Sequence, residues 1–234
     1  MDAGKARMTQ GAEIAAAVRG VFDLPVAVAV TRPDAVHPPL FADEAALIAR
    51  ARPVRIAEFT AGRSAAREAM CQLGHAPKPV LATSDRAPIW PLGLTGSISH
   101  CADWCIAVLV RDSHARSLGI DIEEDRPLPG DLVGEICSQS EIAQLQEAGH
   151  LAAAMRIFCA KEAAYKAQYP LTRTLFGFDR LDVTLRADNS AFDAQFTQDT
   201  ECFRRGDKLP GRIVSVAGHL VSAVAIGQID RKGA

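Results

Sequence analysis

Residues Leu118-Gly119-Ile120-Asp121-Ile122-Glu123 alternate apolar and acidic side chains. Only an extended strand sorts a period of two onto opposite faces, so Asp121 and Glu123 point the same way. Further along, Phe158-Cys159-Ala160-Lys161-Glu162-Ala163-Ala164-Tyr165-Lys166 is rich in helix formers and contains no breaker. Glu162 and Lys166, four apart, therefore share one helical face. A strand and a helix can thus bring three carboxylates together, with lysines beside one of them. Hard oxygen donors of this kind suit Mg²⁺, which keeps waters and completes its shell from a substrate phosphate. Taken singly, the pieces have plainer readings. Asp121 and Glu123 also fit the wet face of an edge strand, and the Lys-Glu-Lys set a salt-bridged helix surface.

The chain has 234 residues, of which 48% are hydrophobic and 23% charged, with a net charge of −2. That length supports one large or two small domains with a real core. The charge balance gives no reason to expect a general nucleic-acid or anionic-membrane surface. No apolar run is long enough for a membrane helix, and residues 1–20 carry scattered charges instead of a signal-peptide core. The six cysteines contain no C-x-x-C pair. They read as reduced, mostly buried small residues of a cytoplasmic protein, and zinc is not expected.

The joint pattern, a Gly-hydrophobic-Asp-x-Glu strand followed by an aromatic-x-x-Lys-Glu-x-x-x-Lys helix, resembles the 4′-phosphopantetheinyl transferase superfamily. Gly119, Asp121, Glu123, Phe158, Lys161, Glu162 and Lys166 supply every anchor. Three further stretches strengthen it. Arg55-x-x-Glu58-Phe59-x-x-Gly62-Arg63 resembles a helix of the large monomeric, enterobactin-synthetase type. Arg86-x-Pro88-x-Trp90-Pro91 resembles a family loop, and Ser97-Ile98-Ser99-His100 its Ser-hydrophobic-[Ser/Thr]-His signature. By composition alone the arginines would be a solvated basic face, Trp90 core packing, and His100 a structural residue at a strand end.

The resemblance implies an α+β fold of two similar halves about a pseudo-twofold axis, with the active site between them. On this reading residues 1–112 form the nucleotide-binding half and residues 113–234 the metal-binding, catalytic half. It implies Mg²⁺, with Mn²⁺ as a substitute, held by Asp121, Glu123 and Glu162. Coenzyme A, the co-substrate, would be gripped by Arg55, Arg63, Arg86, Ser99, His100, Lys161 and Lys166. Glu162, Lys166 and Asp121 would be catalytic. The reaction implied is transfer of 4′-phosphopantetheine to a serine of an acyl or peptidyl carrier domain by a monomer. A coenzyme A binder with a vestigial metal site and a Mg²⁺-dependent pyrophosphate hydrolase are the competing readings.

Periodicity places other elements. A strand is expected at residues 24–30, a helix capped by Asp43 reaching 51, and a long helix over 54–73 ended by Gly74. A strand over 104–110, a loop over 124–135, a helix over 140–148 stopped by Gly149, and the Lys-Glu helix over 151–168 stopped by Pro170 follow. Strands are expected over 181–185, 191–197, 212–216 and 220–226, the last two forming a hairpin, and the tail from Arg231 frays. Arg126, Leu128 and Leu132 are a candidate carrier-docking surface. Phe59–Arg67 can also be laid over Phe158–Lys166, a faint internal repeat.

Overall fold

A computed structural model describes residues 3–147 and 153–228. Helix α1 spans Ala3–Gly20, β1 Ala27–Thr31, α2 Ala42–Leu47 and α3 Pro53–Gln72. The hairpin strands β2 (Leu81–Ala82) and β3 (Pro88–Ile89) precede β4 (Leu94–His100) and β5 (Cys105–Arg111). A second series then begins with β6 (Ser117–Glu124), α4 (Gly130–Ile136), α5 (Gln139–Glu147) and α6 (Ala154–Thr172). It ends with β7 (Leu181–Leu185), β8 (Ala191–Phe196), β9 (Lys208–Val216) and β10 (His219–Ile226).

The topology repeats. One sheet runs β1-β5-β4, with β2-β3 apart from it, and the other runs β6-β10-β9-β8-β7. In each series a first strand is followed by helices, the last of them long, and then by four strands of which the final one pairs antiparallel with the first. This is the α+β duplication that the faint sequence repeat hinted at.

Small residues set the layer spacing. Ala160, Ala163, Ala164 and Ala167 on α6 are fully buried against the five-stranded sheet. Gly119 lies beneath them, and a Cβ there would strike the carbonyl oxygen of Ala163. Only glycine lets α6 sit this low on β6, which brings Asp121 and Glu162 to one level. The hairpin between β9 and β10 turns through Ala217 (φ 49°) and Gly218 (φ 78°), the left-handed pair a two-residue loop requires.

Several boundaries differ from expectation. The first strand starts at Ala27, past Pro25, and α2 begins before Asp43. Its start is held by Glu44, whose carboxylate accepts from the Phe41 N–H at 3.0 Å. The stretch 124–135 is not all loop, because α4 forms within it. Pro170 does not stop α6. It lies inside the last turns, and the helix ends where Arg173 takes a left-handed φ of 53°. Nothing in the charge pattern announced α1, whose Ile14 and Val18 are fully buried. Their i, i+4 spacing beside Gly11, which lies against the Trp104 ring, was the available signal. All six cysteines are free, four buried and two, Cys71 and Cys202, exposed. The expected glycine stop at Gly149 and the tail from Arg231 lie outside the described residues.

Candidate active site

Between the two sheets lies a cavity of about 760 Å³. Its walls come from both halves: Leu47, Ile48 and Ala51; Arg55, Phe59 and Arg63 of α3; Ala82, Thr83, Ser84, Arg86 and Pro88; Ile98, Ser99 and His100 of β4; then Asp121, Glu123, Glu162 and Lys166. The structure thus gathers Arg55, Arg63, Arg86, Ser99 and His100 with the three carboxylates and Lys166.

The acidic side is tightly wired. Lys166 Nζ donates to Asp121 Oδ1 at 2.6 Å and to Ser99 Oγ at 2.9 Å, while Ser99 Oγ donates to Asp121 Oδ1 at 2.8 Å. Asp121 is 2% exposed, and its Oδ2 is buried without a hydrogen-bond partner. Burial, reinforced by Asp121 and Glu162 and opposed by Lys166, pushes Glu123 up to about 7. Burial also raises Glu162, with Lys166 pulling it back and Asp121 adding to the rise. Burial works against the Lys166 charge, but Asp121 and Glu162 outweigh it and hold the ammonium above its ordinary range. Three crowded carboxylates face one cation, so the cluster is short of positive charge.

Among the described residues, no three His, Cys, Asp or Glu side chains stand grouped so as to hold a metal by themselves. Lys166 already takes one oxygen of Asp121. The unpartnered Oδ2, the raised acids and the all-oxygen donor set nonetheless fit a hard divalent ion whose remaining ligands come from a phosphate-bearing substrate.

The basic side is equally specific. Arg63, 6% exposed, donates from Nε to the Val80 carbonyl at 2.7 Å and lies over the Phe59 ring at 4.1 Å. Burial, eased by Glu44, lowers it to about 10, so it stays charged at neutral pH. Arg55 Nη1 approaches His100 Nε2 at 2.9 Å and Glu58 Oε2 at 3.3 Å. Arg86 holds φ 70° in the β2–β3 loop. A non-glycine residue in that region costs on the order of 1 kcal/mol, and its side chain lines the cavity.

Lys161 departs from the sequence expectation, for it does not line this cavity. It is 2% exposed, and its Nζ donates to Ile136 O at 2.8 Å and Phe178 O at 2.9 Å and pairs with Glu141 Oε2 at 2.8 Å. The preceding helical position simply faces the protein, whereas Glu162 faces the cleft. The docking expectation changes too: Leu128 is buried and Leu132 packs against the core, which leaves Arg126 exposed. Glu44 and Glu141, both fully buried, escaped sequence reading. An acid three residues past each helix entry was the signal.

A 4′-phosphopantetheinyl transferase N-terminal domain model matches residues 43–110, and a 4′-phosphopantetheinyl transferase superfamily model matches residues 117–217. The chain is 38% identical over 197 residues to 4′-phosphopantetheinyl transferase Svp of Streptomyces mobaraensis, covering 80% of this chain and 78% of that protein. It is 39% identical over 158 residues to 4′-phosphopantetheinyl transferase PptT of Mycobacterium tuberculosis, covering 66% and 69%. Against enterobactin synthase component D of Salmonella typhi the identity is 35% over 170 residues, covering 66% and 70%. No helix among the described residues is long and apolar enough to cross a membrane.

Proposed function

The chain belongs to the 4′-phosphopantetheinyl transferase superfamily, and on that footing we propose how its cleft divides the reaction. The reaction moves 4′-phosphopantetheine from coenzyme A to a serine of a carrier-protein domain and releases 3′,5′-ADP. The observation that carries the reading is one cavity with cations on one wall and carboxylates with a single lysine on the other.

Arg55, Arg63, Arg86 and His100, from residues 1–112, bind the phosphates at the nucleotide end, where guanidinium donors match phosphate oxygens. Ser99 holds Lys166 and Asp121 in register with them. Asp121, Glu123 and Glu162, from residues 113–234, hold the divalent ion, which we take to be Mg²⁺ with Mn²⁺ able to replace it. When bound, that ion neutralises pyrophosphate charge and polarises the transferred phosphoryl group.

Glu162 takes the serine proton, directly or through a water. A buried carboxyl raised above its ordinary range is a better base near neutral pH than an exposed one. The serine oxygen forms the new bond to the phosphorus of the phosphopantetheine arm as the bond to the leaving phosphate breaks. Lys166, kept charged by Asp121 and Glu162, neutralises phosphate oxygens on the leaving group. The carrier served belongs to siderophore, other nonribosomal peptide or polyketide synthesis, and the enzyme acts as a cytoplasmic monomer.

Mass spectrometry of an apo carrier incubated with the protein, coenzyme A and Mg²⁺ tests this. A carrier that gains the phosphopantetheine mass supports it. Free phosphopantetheine with an unmodified carrier would make the protein a hydrolase, and no turnover a binder.

A further inference from the structure

The Lys161 ammonium is a buried charge with no part in the chemistry above. It joins three separate segments: the end of α4 through Ile136 O, the turn before β7 through Phe178 O, and α5 through Glu141. Glu141 is fully buried and saturated, since its Oε2 also accepts from Ser138 N at 2.7 Å and its Oε1 from Val183 N at 2.6 Å.

The other half carries the same device. Fully buried Glu44 accepts from Phe41 N through Oε2, from Val80 N at 2.8 Å through Oε1, and from Arg67 Nη1 at 2.8 Å through Oε2. In both halves the acid caps a short helix, catches the backbone of the segment after the long helix, and takes a cation from that helix. The two cations come from different turns of their helices, yet neither Arg67 nor Lys161 lines the large cavity. Removing a charged partner from such a buried pair leaves an uncompensated charge, so the duplication conserves a costly arrangement in both halves.

We propose that Lys161 is a positioning residue, which through Glu141 and the Phe178 carbonyl fixes the turn of α6 that presents Glu162 to the cleft. Lys161 and Glu162 are adjacent and point about 100° apart around the helix, so any roll of α6 that moves one moves the other. They also share a small pocket of about 110 Å³ with Tyr165, Phe176 and Phe178, whose wall the Lys161 bond to Phe178 O holds. A displacement of about 1 Å at a reacting group costs on the order of a hundredfold in rate without weakening a remote binding contact.

The inference rests on the transferase reading and is tested in the same assay. Lys161→Met and Glu141→Gln are each measured for kcat, KM for coenzyme A, coenzyme A dissociation constant by calorimetry, and Tm. Expected is a fall in kcat of about ten- to a hundredfold in both, with KM and dissociation constant within about twofold of the parent. A tenfold rise in the dissociation constant in Lys161→Met, with kcat retained, would make Lys161 a phosphate ligand and overturn the proposal. So would parental kcat in a folded variant whose Tm alone has dropped. Should either single variant fail to fold, the Glu141→Gln/Lys161→Met double variant removes both charges and is expected to fold with the same kcat loss; parental kcat there overturns the proposal. A parent protein that leaves the carrier unmodified defeats the transferase reading instead, and the calorimetry still decides whether Lys161 touches the nucleotide.

Discussion

Gly119 and Ala163 meet backbone to side-chain-free backbone, with no room for a methyl group between β6 and the carbonyl of α6. That contact fixes the height of α6, which carries Glu162 and Lys166, over the strand that carries Asp121 and Glu123.

Gly119→Ala therefore forces α6 off the sheet. Overpacking of a rigid backbone contact costs about 1–3 kcal/mol or more, and here the loss should reach the upper end with transfer activity abolished. Gly134→Ala, in α4 with open space around it, is the control. Helix propensity predicts that it is neutral or gains up to about 1 kcal/mol. Chemical denaturation of both variants checks the pair, and equal stabilities would contradict the packing argument.

Glu162→Gln keeps the shape of the side chain and removes its charge. We expect kcat to fall by about 10²- to 10³-fold, with coenzyme A binding much less affected. Steady-state transfer kinetics at saturating metal give the answer; a variant with near-parental kcat cannot have lost its base.

Arg55 is half-exposed and makes its contacts with Glu58 and His100 at the edge of the cavity. Arg55→Ala should raise the KM for coenzyme A about tenfold while leaving kcat within a few-fold, the pattern of a lost charge-assisted phosphate contact. An equal rise for a substrate lacking the adenosine 3′-phosphate would move the contact to the pyrophosphate. No change with either substrate would remove Arg55 from the site.

His100 is held below its ordinary 6.5 by burial, with Glu58 and Asp121 opposing and Arg55 and Lys166 adding to the depression. The native imidazole thus resists a proton that the unfolded chain accepts. Above about pH 6.5 both states are neutral there and the site contributes no pH dependence. As pH falls from 6.5 through the lower native value, the unfolded state binds the extra proton and stability declines, levelling off below it. The stability of the parent minus that of His100→Gln should be smaller at pH 5.5 than at pH 7.5. Urea denaturation at the two values measures it, and a larger difference in acid would reverse the sign of the argument.

The parts of this fold readable from sequence were those where periodicity and function coincide. The alternation around Asp121 and the unbroken helix around Glu162 are strong local signals, and both lead to the same cavity. Lys161 shows where such reading stops. Its motif position makes it look like a partner of Glu162, yet adjacent helical residues diverge by about 100°, so one faces the cleft and the other the core. The buried acids Glu44 and Glu141 were hidden for a different reason. Their partners lie far away in sequence, and a lone glutamate near a helix entry is ordinary until the strand backbone it catches is known. α1 was missed because alanine-rich sequence carries little amphipathic contrast.

The two sheets are not laced by a shared backbone ladder where β4 meets β6. Serine hydroxyls bridge them there, Ser97 Oγ to the Ile120 N–H at 3.2 Å and Ser99 Oγ to Asp121. Both bonds are buried, and beside them Ile106, Val108 and Val110 of β5 share one core with Leu118, Ile120 and Ile122 of β6, so apolar packing backs the seam. A substrate gripped from both walls would tie that seam from outside as well, and the occupied protein should resist heat in proportion to how tightly it is held.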